Sequence, residues 1–515
     1  MPPELTGESA PWVPDAFRRA ARERPEQPVI LAAEGDWTYT QLDRASDRLA
    51  GYLRGTGVGA GDRVGLYCPN GGEFASAYLG ILKAGATVVP LNLMLNPREL
   101  AFILADAGAR ALLHHADLAA VSATLGGEVP GPALTAAIDV AIAEGGAAPA
   151  SVEPKAEVAA ILYTSGTTGR PKGAMLTHAN LIANTQGVLS ALGLVPGKDR
   201  LVVVLPMFHA FAATVGMLTS LLHGLSLIAL TRFEPRLVSA AVGRYGATVF
   251  LGVPSMYSLL LRLPDEDLGH WRSVRFAVSG GAAMPQAVMS AFEARFGFPI
   301  LEGDGPTECS PVTSVNPPQG PRKAGSIGLP IPGVQMRIAA PEGATLPNGE
   351  HGEVCVRGPS VMKGYWGLEA ETRASFFGDW FRTGDLGYRD GDGYFYLVDR
   401  IKDLVIVNGM NVYPRMVEEV LYRHPAVAEA AVVGEPHPLH GEIPVAYLVA
   451  KPEMRVDSTE LRDWCREHLG RHEVPRRLIL VDALPRNAAG KVLKRELRRQ
   501  GEVERGVDIE RGAAD

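Results

Sequence analysis

Between Arg63 and Asn92 the chain reads RVGLYC, a Pro-Asn-Gly-Gly turn, EFASAYLGILKAG and then ATVVPLN. A short apolar run, a turn, a stretch with apolar residues at helical spacing and a second short apolar run make one strand–helix–strand unit. The rhythm returns at LVVVLP (Leu201 to Pro206), ATVFLGVP (Ala247 to Pro254) and VRFAVSGG (Val274 to Gly281), the last followed by a helical pattern beginning near Pro285. Short β-rich runs alternating with helices predict an α/β fold of mostly parallel sheets covered by helices. Such sheets bind ligands at the loops that leave the carboxyl ends of their strands.

The texture changes after about residue 320, where GSIGLPIPGVQMRI, GEVCVRG and GYFYLVDR are short strands with glycine turns. They predict a small β-rich subdomain. From Lys402 onward DLVIV, a helix near Tyr413 to Tyr422, VAEAAVVG, VAYLVA, a helix near Glu460 to His468 and RLILV read as a compact α+β unit. The charged cluster Asp399 to Asp403 lies between two β-like runs and is the expected boundary.

The 515 residues are 46% hydrophobic and 21% charged, with a net charge of -7, which argues against general nucleic-acid binding. The start MPPELTGESAPW lacks the basic and apolar regions of a signal peptide. No apolar run reaches the roughly 18 residues that span a bilayer. Cys68, Cys309, Cys355 and Cys465 are too scattered for a CxxC pair or a disulfide framework, so a cytoplasmic, reducing compartment is expected. The tail GEVERGVDIERGAAD is expected to fray.

One stretch has composition suited to a specific ligand. After the strand candidate AILYT come Ser165, Gly166, Thr167, Thr168 and Gly169, then Arg-Pro-Lys-Gly. Glycines let backbone N–H groups turn toward a ligand, hydroxyls donate hydrogen bonds, and Lys172 adds a point charge. The chemistry suits a polyphosphate. It is not a P-loop, because Pro171 precedes the lysine and Gly173 follows it where Ser or Thr would stand.

TSGTTGRPKG (Thr164 to Gly173) resembles the phosphate-loop signature of the adenylate-forming superfamily, which includes acyl-CoA synthetases, nonribosomal adenylation domains and luciferases. Further signatures follow in that superfamily's order. GDGPTE (Gly303 to Glu308) resembles its nucleotide and metal motif, TGD (Thr383 to Asp385) its ribose motif, and DRIKD (Asp399 to Asp403) its hinge. VNGMNVYP (Val407 to Pro414) resembles the segment after the hinge, and PRNAAGK (Pro485 to Lys491) the catalytic-lysine loop.

The resemblance implies a large N-terminal domain over residues 1–398, a hinge at 399–403, a mobile lid over 404–500 and a tail over 501–515. It also implies a two-step reaction. A carboxylate attacks the α-phosphate of ATP and expels pyrophosphate; the acyl group then passes from AMP to a thiol, usually that of coenzyme A. The first step joins two anions, so it needs Mg²⁺ and cationic side chains to offset repulsion.

Carried over residue by residue, Thr164, Ser165, Gly166, Thr167, Thr168, Gly169 and Lys172 are expected around the triphosphate. Thr307 is expected at the α-phosphate, and Glu308, with Thr164 nearby, at Mg²⁺. Gly280, Gly281 and Ala282 are expected along the adenine, with Gly303, Asp304 and Gly305 beside the nucleotide and acyl sites. Asp385 suits the ribose diol, and Arg400 ribose or phosphate. Lys402 aligns with the pivot, and Gly409 with a segment lining the pantetheine channel after the lid turns. Lys491 is the expected catalytic cation, and His209, in PMFHAFA, is expected near the carboxylate.

Asp304 departs from the pattern, because this position usually carries an aromatic residue that stacks on adenine. Gly305 is expected to leave the acyl pocket deep, and Phe211, Val215 and Met217 either line a tunnel or pack in the core. A medium- or long-chain fatty acid is the first expectation for the acid, and an aryl or arylalkanoic acid the second. Asp385 to Arg400 carries no insertion of the kind found in carrier-loading ligases, so free CoA is expected over a carrier-protein thiol. A nucleotide-binding protein without catalysis is the alternative from another class. A homodimer is common among such enzymes.

Overall fold

The computed structural model describes residues 12–125, 132–146, 156–164, 170–452, 454–487 and 490–499. A nine-stranded sheet runs in the order Leu329–Pro330, Ser314–Val315, Ile300–Asp304, Phe276–Ser279, Val249–Gly252, Arg200–Val203, Ser226–Ala229, Pro28–Leu31, Trp37–Thr38. From Ile300–Asp304 to Pro28–Leu31 every pair is parallel, and the pairs outside that range are antiparallel. A seven-stranded sheet is built around Arg63–Tyr67, which pairs in parallel with Thr87–Pro90 and Ala109–His114. The crossover is the helix Gly72–Lys83, as the spacing predicts.

Alternation explains how the nine-stranded sheet is covered on both faces. Leu201 and Val203 join one core cluster together with Val64 and Leu66 of the other large sheet, while Val202 and Val204 join a second cluster on the opposite face. The two large sheets therefore share a core. The expected helix-covered, mostly parallel α/β architecture is present, with all four cysteines free and buried. Among the described residues no helix is long and apolar enough to cross a membrane.

Lys172–Thr177 is a strand that sequence patterning does not single out. It pairs antiparallel with Val158–Thr164, so these two strands flank the hydroxyl-rich stretch in the sequence. The strand is six residues long and includes a glycine, too short for its period to show. Thr177 caps the next helix, His178–Ala191, its hydroxyl accepting the Asn180 N–H while Asn180 Oδ1 accepts the Thr177 N–H.

The β-rich unit is an antiparallel sheet of Gln335–Ala339, Gly352–Arg357, Trp380–Arg389 and Phe376–Phe377, with Phe395–Arg400 on Trp380–Arg389. The smaller C-terminal unit has its own five-stranded sheet, Met410–Val412, Val405–Val407, Gly441–Ala450 and Val427–His437 with Arg477–Leu480 beside Gly441–Ala450, and the helices Pro414–Tyr422 and Ser458–His468. Val432, Ala446 and Leu448 fill one face of its sheet, and Val433, Val445 and Tyr447 the other.

The expected hinge segment, 399–403, spans a strand end and a turn. Asp399 and Arg400 are strand residues, in register with Leu386 and Asp385, so the sheet holds them. Only Ile401–Asp403, a single 3₁₀ turn, is free of a ladder.

Candidate active site

The strand Lys172–Thr177, the GDGPTE segment and the edge strand Gly364–Tyr365 meet at the first half of the site. Gly364–Tyr365 adds antiparallel to Lys172–Thr177, setting Tyr365 opposite Ala174. The Tyr365 ring lies 5.4 Å from Lys172 Nζ, and its hydroxyl donates to Glu308 Oε1 at 2.8 Å. One ring thus joins the phosphate-loop lysine to the acid of GDGPTE. Thr164 stands opposite Lys172 in register, its hydroxyl 3.5 Å from the Lys172 carbonyl oxygen. Ser165, Gly166, Thr167, Thr168 and Gly169 lie outside the described residues.

Thr307 and Glu308 lie in a 3₁₀ turn directly after the strand Ile300–Asp304. The loop beyond is pinned by fully buried Asn184, whose amide donates to the carbonyls of Cys309 at 3.2 Å and Val312 at 2.8 Å. Glu308 supplies a single carboxylate, and among the described residues no three His, Cys, Asp or Glu side chains gather as a metal cluster. That donor set fits a hard cation that takes most of its oxygens from nucleotide phosphates and water.

The TGD segment is an irregularity in the ladder between Gly352–Arg357 and Trp380–Arg389. Thr383 Oγ1 donates to the Val354 carbonyl and accepts the Asp385 N–H, while the Gly384 N–H bonds Glu353. Such irregularities re-aim side chains. Here buried Asp385 meets Arg400 across the strands, Oδ1 to Nε at 2.7 Å. Burial pushes Asp304 up to about 6, with the Asp385 charge acting the same way and Arg400 opposing.

The lysine loop of the C-terminal unit reaches this cluster. Asn487 Oδ1 accepts the Lys491 N–H at 2.9 Å, and the Asn487 N–H returns to the Lys491 carbonyl at 2.9 Å. Gly490 turns with φ of 79°, and a Cβ there would come 2.9 Å from Val253 Cγ2. Lys491 keeps exposure to solvent. Desolvation of the ammonium, reinforced by Arg400, lowers its pKa to about 8, while Asp385 and Asp304 oppose the fall. Burial also lowers His209 to about 4, with Lys491 adding to the effect, so its imidazole is neutral at neutral pH. The Phe211 N–H lies 3.4 Å from His209 Nδ1.

His209, Gly280, Gly281, Gly303, Asp304 and Gly305 all line one cavity. Its far wall is apolar: Val188, Leu192, Phe211, Val215, Val312 and Ile331. Phe211–Leu218 winds as a π-helix, which turns Phe211 and Val215 to the cavity while Met217 is buried in the core. Of the three residues for which tunnel and core were both open, Phe211 and Val215 line the cavity and Met217 packs in the core. Gly305 needs a different reason from the expected one. A Cβ on it would fall 2.1 Å from the Pro311 carbonyl oxygen, so the glycine permits close backbone approach rather than a deeper pocket.

Several expected residues stand apart from the cavity lining. Ala282 is exposed just beyond it. Lys402 is exposed in the 3₁₀ turn, and Gly409 forms with Asn408 the two-residue turn of a hairpin, both at positive φ with no atom within 4 Å of a Cβ on Gly409. Sequence reasoning missed Tyr365 and Asn184. Tyr365 acts through an edge-strand pairing about 190 residues on from Lys172–Thr177, and nothing local in GYWG announces it.

Comparison with known proteins agrees with this geometry. The family model described as AMP-binding enzyme matches residues 17–366, and that described as AMP-binding enzyme C-terminal domain matches residues 416–491. The chain is 39% identical over 487 residues to a feruloyl-CoA synthase of Amycolatopsis sp, covering 94% of this chain and 97% of that one. It is 37% identical over 495 residues to a sulfoacetate–CoA ligase of Cupriavidus necator, covering 93% and 95%. The crystal structure of the anthranilate CoA ligase AuaEII with anthranoyl-AMP superposes with a TM-score of 0.89 at 28% identity, over 95% of this chain and 96% of that one. The signatures, the architecture and these matches together show that the chain belongs to the AMP-binding enzymes of the adenylate-forming superfamily and is an AMP-forming acid–CoA ligase.

Proposed function

We propose that this ligase activates an aromatic or arylalkenoic acid as its adenylate and passes the acyl group to CoA, with Lys491 as the cation of the first step. One observation carries the assignment to Lys491: the lid loop brings it into the same cleft as Asp304, Asp385 and Arg400, beside His209 and the mouth of an apolar cavity. The acid lies with its apolar part against Phe211, Val215 and Ile331 and its carboxylate at the cleft. Neutral His209 donates a hydrogen bond to that carboxylate from Nε2. A carboxylate oxygen bonds to the α-phosphorus as the bond to the β-phosphate oxygen breaks and pyrophosphate leaves. The Lys491 ammonium lies between the two anions and offsets the charge they bring together. In the second step the CoA thiolate attacks the acyl carbonyl carbon, and AMP departs.

Ser165, Thr167, Thr168 and Lys172 bind the triphosphate in this account, Thr307 meets the α-phosphate, and Asp385 takes the ribose hydroxyls with Arg400 alongside. Gly280 to Ala282 run along the adenine. Glu308, with Thr164 nearby, would hold Mg²⁺, whose charge neutralises phosphate oxygens. Lys402 is the pivot, and Gly409 borders the pantetheine path once the lid has turned.

An aromatic acid is favoured by the relatives named for ferulate and anthranilate. A linear fatty acid is the second reading, favoured by the uncharged far wall from Val188 to Ile331. Hydroxylamine trapping with ATP over a panel of ferulate, cinnamate, benzoate, octanoate and palmitate decides between them. Hydroxamate from the aryl acids and little from octanoate or palmitate is expected; the reverse order favours the second reading, and no trapping with any acid rejects both.

A further inference from the structure

The lid meets the body not only through the lysine loop but through one face of the helix Pro414–Tyr422. Arg415, in its first turn, makes three contacts across the hinge. Its backbone N–H donates to Asp399 Oδ2 at 2.9 Å, its Nη1 donates to the Leu397 carbonyl at 2.7 Å, and its Nη2 lies 3.7 Å from Glu302 Oε1. Burial raises the pKa of Glu419, one helical turn on, and Arg415, Arg423 and the Gln286 backbone oppose the rise. Leu397 and Asp399 precede the turn Ile401–Asp403 and Arg415 follows it, so the contacts straddle the short turn that joins the strands Phe395–Arg400 and Val405–Val407.

Glu302 is an unusual partner. Its side chain is 3% exposed, on the strand that ends at Asp304. Oε1 takes the Met284 N–H at 3.1 Å, and Oε2 has no partner among the described residues. Arg415 is the cation beside this buried carboxylate, while Glu419 and Asp304 add repulsion to it. A carboxylate so placed favours whichever lid position keeps the guanidinium near.

We infer that Arg415 and Glu302 form a latch that holds the lid in its lysine-in position and governs when it leaves. The inference rests on the proposed two-position cycle. Neither residue touches the cavity, so both are positioning residues: Arg415 fixes where Lys491 sits by fixing the helix that travels with it. Turning about Ile401–Asp403 withdraws Nη1 from Leu397 and the guanidinium from Glu302, and that loss sets a barrier to the second half-reaction. Latch strength therefore divides turnover between adenylation, which wants the lid held, and thioester formation, which wants it released.

The test uses full-length protein with spin labels at Glu369→Cys on the body and Leu480→Cys on the lid, both exposed; the natural cysteines are buried. Arg415→Gln and, as a near-isosteric second variant, Glu302→Gln are each compared with the parent. Electron–electron distance distributions are recorded without substrate, together with ATP–pyrophosphate exchange and thioester formation from supplied acyl-AMP. The latch predicts a second label distance gaining population in both variants and exchange falling about tenfold, with thioester formation unchanged or faster. Arg415→Lys is expected to recover part of the exchange. Unchanged distances in both variants, or equal loss in both half-reactions, overturns the latch. If the parent exchanges with no acid, the catalytic reading fails, while the distances alone still decide the latch.

Discussion

In the proposed mechanism the chemistry turns on Lys491, and the environment of this residue makes a pH prediction. Its pKa is lowered to about 8, so the ammonium is present below that pH and lost above it. The kcat/KM of adenylation for ATP, which reports the free enzyme, should fall as pH rises through about 8. Lys491→Arg, which keeps its charge, should move the falling limb upward if it retains activity. A limb that stays in place in an active Lys491→Arg enzyme assigns the titration elsewhere. Tyr365→Phe removes the hydroxyl that orients Glu308 while keeping the ring under Lys172. The expected cost is about 1 kcal/mol, or roughly fivefold, in the adenylation half-reaction. A variant matching the parent would show that Glu308 needs no orienting bond. Lys491 was legible in the sequence because PRNAAGK is a contiguous motif. Tyr365 was not, because its place comes from pairing between segments distant in the chain.

At the scale of elements, the parallel strands and their crossover helices could be read from alternating short apolar runs and helical spacing, as at Arg63–Tyr67 and Gly72–Lys83. The return strand Lys172–Thr177 and the π-helix Phe211–Leu218 could not. The first is defined by its partner, and the second has the same apolar composition as a buried α-helix. Gly305 teaches the same lesson. Its motif position suggests an open pocket, but the neighbouring backbone at Pro311 occupies the space where a side chain would begin. Gly305→Ala should therefore destabilise the body by about 1–3 kcal/mol, seen as a lowered thermal midpoint, rather than shorten the preferred acid. A stable Gly305→Ala enzyme with a shifted acid preference would restore the pocket explanation. Asn184→Ala, which frees the loop carrying Cys309 and Val312, should likewise lower the midpoint and raise KM for the acid.

In the proposed mechanism the whole molecule works as a body that binds substrates and a smaller unit that supplies a lysine to them. The matched motifs could suggest this division but not the contacts that enforce it, since Arg415, Leu397 and Glu302 belong to no shared local pattern. The Asn408–Gly409 turn offers a check on the second lid position. Both residues have positive φ, so Gly409→Asn keeps the turn while adding a side chain. It should slow thioester formation more than adenylation; equal slowing would remove Gly409 from the pantetheine path. The central claim is that the lid's lysine enables the first step alone. Acid-dependent ATP–pyrophosphate exchange by the parent and by Lys491→Ala, alongside CoA-thioester formation from supplied acyl-AMP, measures it directly. The account predicts a loss of about 100-fold or more in exchange with thioester formation largely kept; exchange close to the parent's would contradict it.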